Sequence, residues 1–117
     1  LRAFLIMIVY ISIPMANHCM IKQRKISLHW QSVLESQGHT VINPFLLGDH
    51  LDAVHVACRR NKPTYKQYLD HDLCEMQDAE AIFLCQGWSS SNGCLKESEK
   101  ALLCEMQFIF DYKHKVG

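Results

Sequence analysis

Ala81-Ile82-Phe83-Leu84-Cys85-Gln86-Gly87-Trp88-Ser89-Ser90-Ser91-Asn92-Gly93-Cys94-Leu95-Lys96-Glu97 decides how this chain folds. Its first five residues are a continuous apolar run of strand length. Gln86 to Asn92 is small and polar, and from Gly93 the pattern opens a helix with a carboxylate, Glu97, in its first turns. A parallel α/β sheet builds its ligand crevice outside the carboxyl ends of its strands, where such a loop lies. Backbone N–H groups at the helix start attract anions, and serines there can cradle a phosphate. A carboxylate held over the crevice can act as a nucleophile. The plainer alternative is an ordinary loop with an N-cap and a solvated Glu.

Working outward, Phe4 to Ile11 is rich in Ile, Val and Tyr and continuous rather than alternating, as in a central parallel strand covered on both faces. Ser12 to Asn17 reads as a Pro-containing turn. From about Gln23 to Gln37, Ile26, Trp30, Val33 and Leu34 recur at helical spacing, and Gly38 supplies a stop. His39 to Asn43 reads as a second strand ended by Pro44. Phe45 to Lys62 is less legible: either a short helix around Leu51 to Cys58 or an irregular substrate loop. Thr64 can cap a helix reaching about Gln77, with Tyr68, Leu69, Leu73 and Met76 on one face. Gly93 to Met106 is a further helix, with Leu95, Ala101, Leu102 and Met106 expected inward. Gln107 to Tyr112 is a fourth strand before a short basic tail.

Alternating strands and helices imply a mainly parallel sheet with helices on both faces. The expectation is a single domain over residues 1–117, a three-layer α/β fold of the Rossmann-like or flavodoxin-like kind, with about four strands in the order 2-1-3-4. The carboxyl ends of the first and third strands then lie side by side. That places Tyr10 to Met15 beside Gln86 to Glu97, with Asp72 nearby from the preceding helix.

Composition bounds the partners. Lys plus Arg and Asp plus Glu number 12 each, so the formal net charge is zero. No basic stripe appears, which argues against a nucleic-acid polymer but not against a small nucleotide. The six cysteines, at 19, 58, 74, 85, 94 and 104, form no C-x-x-C pair and no zinc-like spacing with histidine. They read as free thiols of a reducing, cytoplasmic compartment, and no metal is assigned. Arg2, an apolar run and Pro14-Met15-Ala16 have the outline of a secretory signal, yet the run is too short to span a bilayer. A buried first strand is the better reading, a start on Leu1 rather than Met suggests an incomplete or trimmed N-terminus, and no membrane partner is expected.

Tyr10-Ile11-Ser12-Ile13-Pro14-Met15, Asp72-Leu73, Asp78-Ala79 and Ser91-Asn92-Gly93-Cys94-Leu95-Lys96-Glu97, in this order and spacing, resemble the nucleoside 2-deoxyribosyltransferase superfamily. The likeness is to its small members, whose first strand ends in Tyr-Ile-Ser-Gly-Pro-Met and whose third ends in Gly-Trp. It covers nearly the whole chain in element order. The resemblance implies an enzyme that cleaves or transfers the bond between a nucleobase and 2-deoxyribose. It implies Glu97 as the carboxylate that attacks the anomeric carbon, Tyr10 as the phenol that holds it, and Asp72 as the group that handles the base's proton. The transferases carry an Asp six residues before the nucleophile, where this chain has Ser91. Related nucleoside 5′-monophosphate N-hydrolases place a phosphate-binding serine there, which points to a nucleotide.

The substrate-binding set implied is Ser12, Ile13, Met15, Gly87, Trp88, Ser91, Asn92 and Gly93. No cofactor is implied, since two carboxylates suffice, and self-association into a homo-oligomer, a dimer or larger, is expected. Trp88 can instead be a rim or subunit-contact residue, and Ser89, Ser90 and Asn92 can simply cap the helix. One departure stands out: Ile13 occupies the position of the first loop's usual Gly, where a branched side chain could shrink the pocket. Two other readings follow: a catalytically silent nucleotide-binding or regulatory module, motivated by Ile13 and the missing Asp, and an assembly component using Trp88, Met106 and Phe108 as an interface.

Overall fold

The computed structural model describes residues 5–111. Strand β1 (Ile8–Ser12) leads to helix α1 (Met20–Ser36), then β2 (Thr40–Ile42), α2 (Pro44–Ala57), α3 (Tyr65–Glu75), β3 (Ala81–Leu84), α4 (Asn92–Leu103) and β4 (Gln107–Phe110). All strand pairs are parallel, in the order β2-β1-β3-β4. The three-layer α/β fold is as expected. Tyr10 pairs with Ile42 on one side and Ile82 on the other, and Ser12 pairs with Leu84. Phe4 and Tyr112, assigned to the first and last strands, lie outside the described residues.

Two cores explain the continuous apolar strands. Val9, Ile11, Ile13, Phe83 and Cys85 point to the α1 side, where Leu34, Ile26 and Trp30 meet them; the Trp30 and Phe83 rings lie 4.9 Å apart. Tyr10, Ile82 and Leu84, one residue out of phase, point the other way, against Leu47 of α2, Leu73 of α3 and Ala101 of α4. Successive strand residues face opposite sides, so a strand sandwiched between helices must be apolar at nearly every position. Right-handed crossovers place the layers: leaving β1 for β2 runs opposite to leaving β2 for β3 and β3 for β4. Helix α1 therefore lies on one face, with α3 and α4 on the other, while α2 gives Phe45 to the α1-side core and Leu47 to the opposite one.

Several expectations of extent and burial are corrected. The stretch after Pro44 is a full helix rather than a short helix or loop, because Pro44 stops β2 and also starts α2, a position where its missing N–H costs nothing. Leu95 and Leu102 do not face inward; they are 39 % and 66 % exposed. The buried stripe of α4 is Cys94, Glu97, Ser98 and Ala101, and at about 100° per residue the two leucines fall on its flank. Met106 is buried in the α4-side core, as its inward placement expected, and so is not available to the assembly reading as an interface residue. Leu84, not Cys85, ends the third strand, and α4 stops at Leu103, where the chain turns through Glu105 in the left-handed region.

Among the described residues no helix is long and apolar enough to cross a membrane, and no buried side-chain polar atom lacks a partner. The polar joint between α1 and α2 shows how this is achieved. Asn43, 2 % exposed, accepts from Phe45 N at 2.9 Å through Oδ1. Its Nδ2 donates to Ser27 Oγ at 3.2 Å and to Gln31 Oε1 at 3.0 Å. Asn43→Ala removes an N-cap and leaves one buried and one half-buried acceptor without its donor, so it is expected to lower stability by about 2 kcal/mol. Urea unfolding reads this; a change below about 0.5 kcal/mol would contradict the role.

Candidate active site

Tyr10 and Ser12 are two apart on β1, so both side chains project toward α4. Both are fully buried. Glu97 lies on the inward stripe of α4, also buried, where a carboxylate is out of place unless it is paired. The pairing is complete: Tyr10 Oη donates to Glu97 Oε2 at 2.6 Å, and Ser12 Oγ donates to Glu97 Oε1 at 2.6 Å. Each carboxylate oxygen takes one short, charge-assisted bond from β1. The head group is thereby fixed in position and in rotation.

The loops that frame it are held as firmly. Gly87 sits at φ +87°, a left-handed conformation, and a Cβ there would stand 3.4 Å from Pro14 Cγ. This contact seats the β3–α4 loop on the β1 loop. Gln23 of α1 donates to the Pro14 carbonyl at 2.7 Å from the other side. Cys85 N donates to the Ser12 carbonyl at 3.0 Å, continuing the sheet ladder past the strand end.

Asp72 reaches the same place from α3, half-buried. Its carboxyl is pushed up to about 8, first by burial and then by the nearby charge of Glu97, with the Tyr10 phenol acting in the opposite sense. Burial lifts Glu97 to about 7 against the lowering effect of the Ser12 and Tyr10 bonds. Burial and the two carboxylates raise the Tyr10 phenol well above its ordinary range, so it stays a donor. Two carboxyl groups that close titrate as a pair, and near neutral pH they share one proton. That is the protonation state needed for one nucleophile and one acid.

The other expected residues are distributed unevenly. Ser91 caps α4, its Oγ accepting from Cys94 N at 3.2 Å. Asn92 is exposed and Gly93 half-buried at the start of that helix. Ile13 is 4 % exposed within the α1-side core, where Met15 also packs. Ile13 is not among the residues of positive φ, so its backbone does not require glycine and its side chain does not enter the crevice. Trp88 packs on the other flank of α4, its ring 6.0 Å from Phe110, in a groove of about 620 Å³ with Leu84, Leu95, Leu102 and Phe108. Glu97 is not among the residues that line that groove.

Two residues at the site carried no sequence signal. Cys94, 1 % exposed, lies within hydrogen-bond reach of Ser12 and Ser91, and burial raises its thiol. Tyr65, the first residue of α3, sets its hydroxyl over Gly93. Cys94 precedes Glu97 by three, and Tyr65 precedes Asp72 by seven, so each shares a helix face with a site carboxylate. Among the described residues no three His, Cys, Asp or Glu side chains gather as metal ligands.

Residues 7–110 match the family model described as Domain of unknown function (DUF4406). The chain belongs to that family. No curated protein and no solved structure matches it. Every residue of the DUF4406 site described above lies within the matched span.

The raised carboxyls make stability depend on pH with a definite sign. A group whose carboxyl value is raised on folding binds its proton more tightly in the native state. The native state therefore holds more protons than the unfolded one between the ordinary carboxylate range and about 8. Stability falls as pH rises through that window. The melting temperature of Asp72→Asn is expected to fall less between pH 5 and pH 8 than that of the parent chain. Identical slopes would contradict the assignment.

Proposed function

We propose that this chain is an N-glycosidase or deoxyribosyltransferase-like enzyme acting on a (deoxy)nucleoside or nucleoside 5′-monophosphate. The observation that supports it is the buried Glu97 carboxylate, held by 2.6 Å bonds from Tyr10 and Ser12, beside a second carboxyl that keeps its proton near neutral pH. A pre-formed nucleophile and an adjacent acid are what scission of a base–sugar bond requires.

In this reading Glu97 forms an ester bond to the anomeric carbon as the carbon–nitrogen bond to the base breaks. Positive charge developing on the sugar is stabilised by the carboxylate. The electron pair of the broken bond goes to the leaving base, and Asp72 donates its proton there. Water, or a second base, then attacks the anomeric carbon. Asp72, now ionised, takes the attacking group's proton, and Glu97 leaves as carboxylate. Tyr10 and Ser12 remain donors throughout, so the nucleophile returns to the same position after each cycle.

Two features guide the substrate class. Ser91 caps the start of α4, under two turns before Glu97, and backbone N–H groups at a helix start favour an anionic group on the sugar. Zero net charge and the lack of a basic stripe suit a small nucleotide rather than a polymer. Of the two motives for a catalytically silent module, Ile13 packs in the α1-side core, and the Ser91 found in place of the Asp suits a nucleotide substrate.

The test is release of free base from the common deoxynucleosides and their 5′-monophosphates, followed by chromatography. Glu97→Gln is expected to reduce release by about 10³-fold or more, and Asp72→Asn by about 10²–10⁴-fold. Absence of base release above the Glu97→Gln level across the whole panel would reject the enzyme.

A further inference from the structure

The two edges of the sheet are finished differently. Strand β2 is three residues long and is closed off by Pro44. Strand β4, Gln107-Phe108-Ile109-Phe110, carries neither charge nor proline, and no described strand lies beyond it. The N–H groups of Gln107 and Asp111 turn inward, to the carbonyls of Glu80 and Leu84. Phe108 is out of phase with them, so its own N–H and carbonyl turn away from β3. An apolar edge of this kind pairs readily with another strand unless charge, proline or a covering element blunts it.

The same edge is open on the α4 side. Phe108 and Phe110 floor the groove of about 620 Å³, and the flank of α4 walls it with Leu95 and Leu102. Leu102 is 66 % exposed, and Leu103 beside it 85 %. Helix α4 therefore turns its buried stripe to its own sheet and presents a second row of leucines outward. A contiguous apolar patch of this kind marks an association surface.

A second copy of this chain satisfies the strand edge and the leucine row about one axis. Tyr10 pairs with Ile82 and Ile82 with Phe108, so the three share a row across the sheet. Glu97 bonds to Tyr10 of that row and to Ser12 two residues on, which sets the height of α4 along the strands. The midpoint between Leu95 and Leu102 falls at Ser98 and Glu99, next to Glu97 and so near the level of Phe108.

A two-fold axis normal to the sheet at that level sets the two β4 strands antiparallel. Directly opposed residues then exchange both N–H···O bonds, Phe108 with Phe108 of the second copy. The same axis sets the two α4 helices antiparallel, with Leu95 against Leu102 of the second copy. Glu99 is the one charged side chain that lines the groove. Across the axis it lies two residues, about 3 Å along the helix, from Lys96 of the second copy. The two Glu99 carboxylates meet near the axis and are each bracketed by such a lysine. A patch that complements itself in strand, helix and charge is what an isologous interface requires. A different partner has no need of that shared level.

We propose that the α4–β4 edge is a self-association surface, through which two copies form a two-fold dimer with one continuous sheet. The dimer braces from outside the helix that carries Glu97. It stands independently of what that carboxylate does.

Sedimentation equilibrium over about three decades of concentration tests it, since association follows mass action. The mass is expected to rise to twice the 13.5 kDa of one chain. Deuterium exchange at the Phe108 amide is expected to slow as the dimer forms, a measurement on the parent chain that needs no variant. Leu102→Asp, which places a charge at each end of the helix pair, is expected to weaken the dimer about a hundredfold or more. Val56→Asp, at a position 76 % exposed on α2, controls for added charge and is expected to leave the mass unchanged. A mass of one chain at every concentration overturns the proposal. An assembly that Leu102→Asp leaves intact, or Phe108 exchange that does not vary with concentration, overturns it equally. None of these outcomes bears on base release, so the proposed function stands or falls separately.

Discussion

The architecture turns on one buried carboxylate. Glu97 occupies a core position of α4, where an unpaired charge would cost several kcal/mol. It is tolerated because β1 offers two hydroxyls at matching height, one to each oxygen. That match imposes conditions elsewhere. Tyr10 and Ser12 must share a strand face, α4 must be rotated so that Cys94, Glu97 and Ala101 line its inner side, and the β3–α4 loop must be short. Gly87, in its left-handed conformation against Pro14, meets the last condition by folding the loop onto the β1 turn.

Asp72 gives that carboxylate its chemical character. Alone, a carboxylate held by two donors would be an ordinary structural acceptor. A second carboxyl is brought in from α3: burial lifts both values into the neutral range, and the charge of Glu97 raises that of Asp72 further. A fold under selection for stability alone would replace such a pair with apolar side chains. Perturbed, neighbouring carboxyls at the carboxyl edge of a parallel sheet make this the candidate functional site of the fold.

The fold was largely legible because its strands violate alternation in a regular way. Apolar runs such as Val9-Tyr10-Ile11 and Ala81-Ile82-Phe83-Leu84 make sense only between two helical layers, and their spacing with helical segments implied the strand order. Helix α2 was obscured by Pro44, which reads as a strand stop although it equally opens a helix. Leu95 and Leu102 misled because periodicity of apolar residues favoured them over the true inner stripe, which carries a Glu and a Ser. The same inversion was informative at the site. Tyr10, Asp72 and Glu97 were identified by family resemblance, and the structure brings all three together. Ser12 was expected at substrate but is turned onto Glu97, since one residue of strand phase decides which way a serine points. Tyr65 left no trace, because an exposed aromatic at a helix start is unremarkable until the facing glycine is known.

The central claim is that Glu97 and Asp72 form a proton-sharing pair. Carbon-13 NMR of the labelled side-chain carboxyl carbons, followed from pH 3 to 10, measures this directly. Two carboxyl signals titrating together in the neutral range, with Asp72→Asn restoring single-step behaviour to Glu97, is the result expected. Both signals completing their titration near pH 4, independently of each other, would contradict the account.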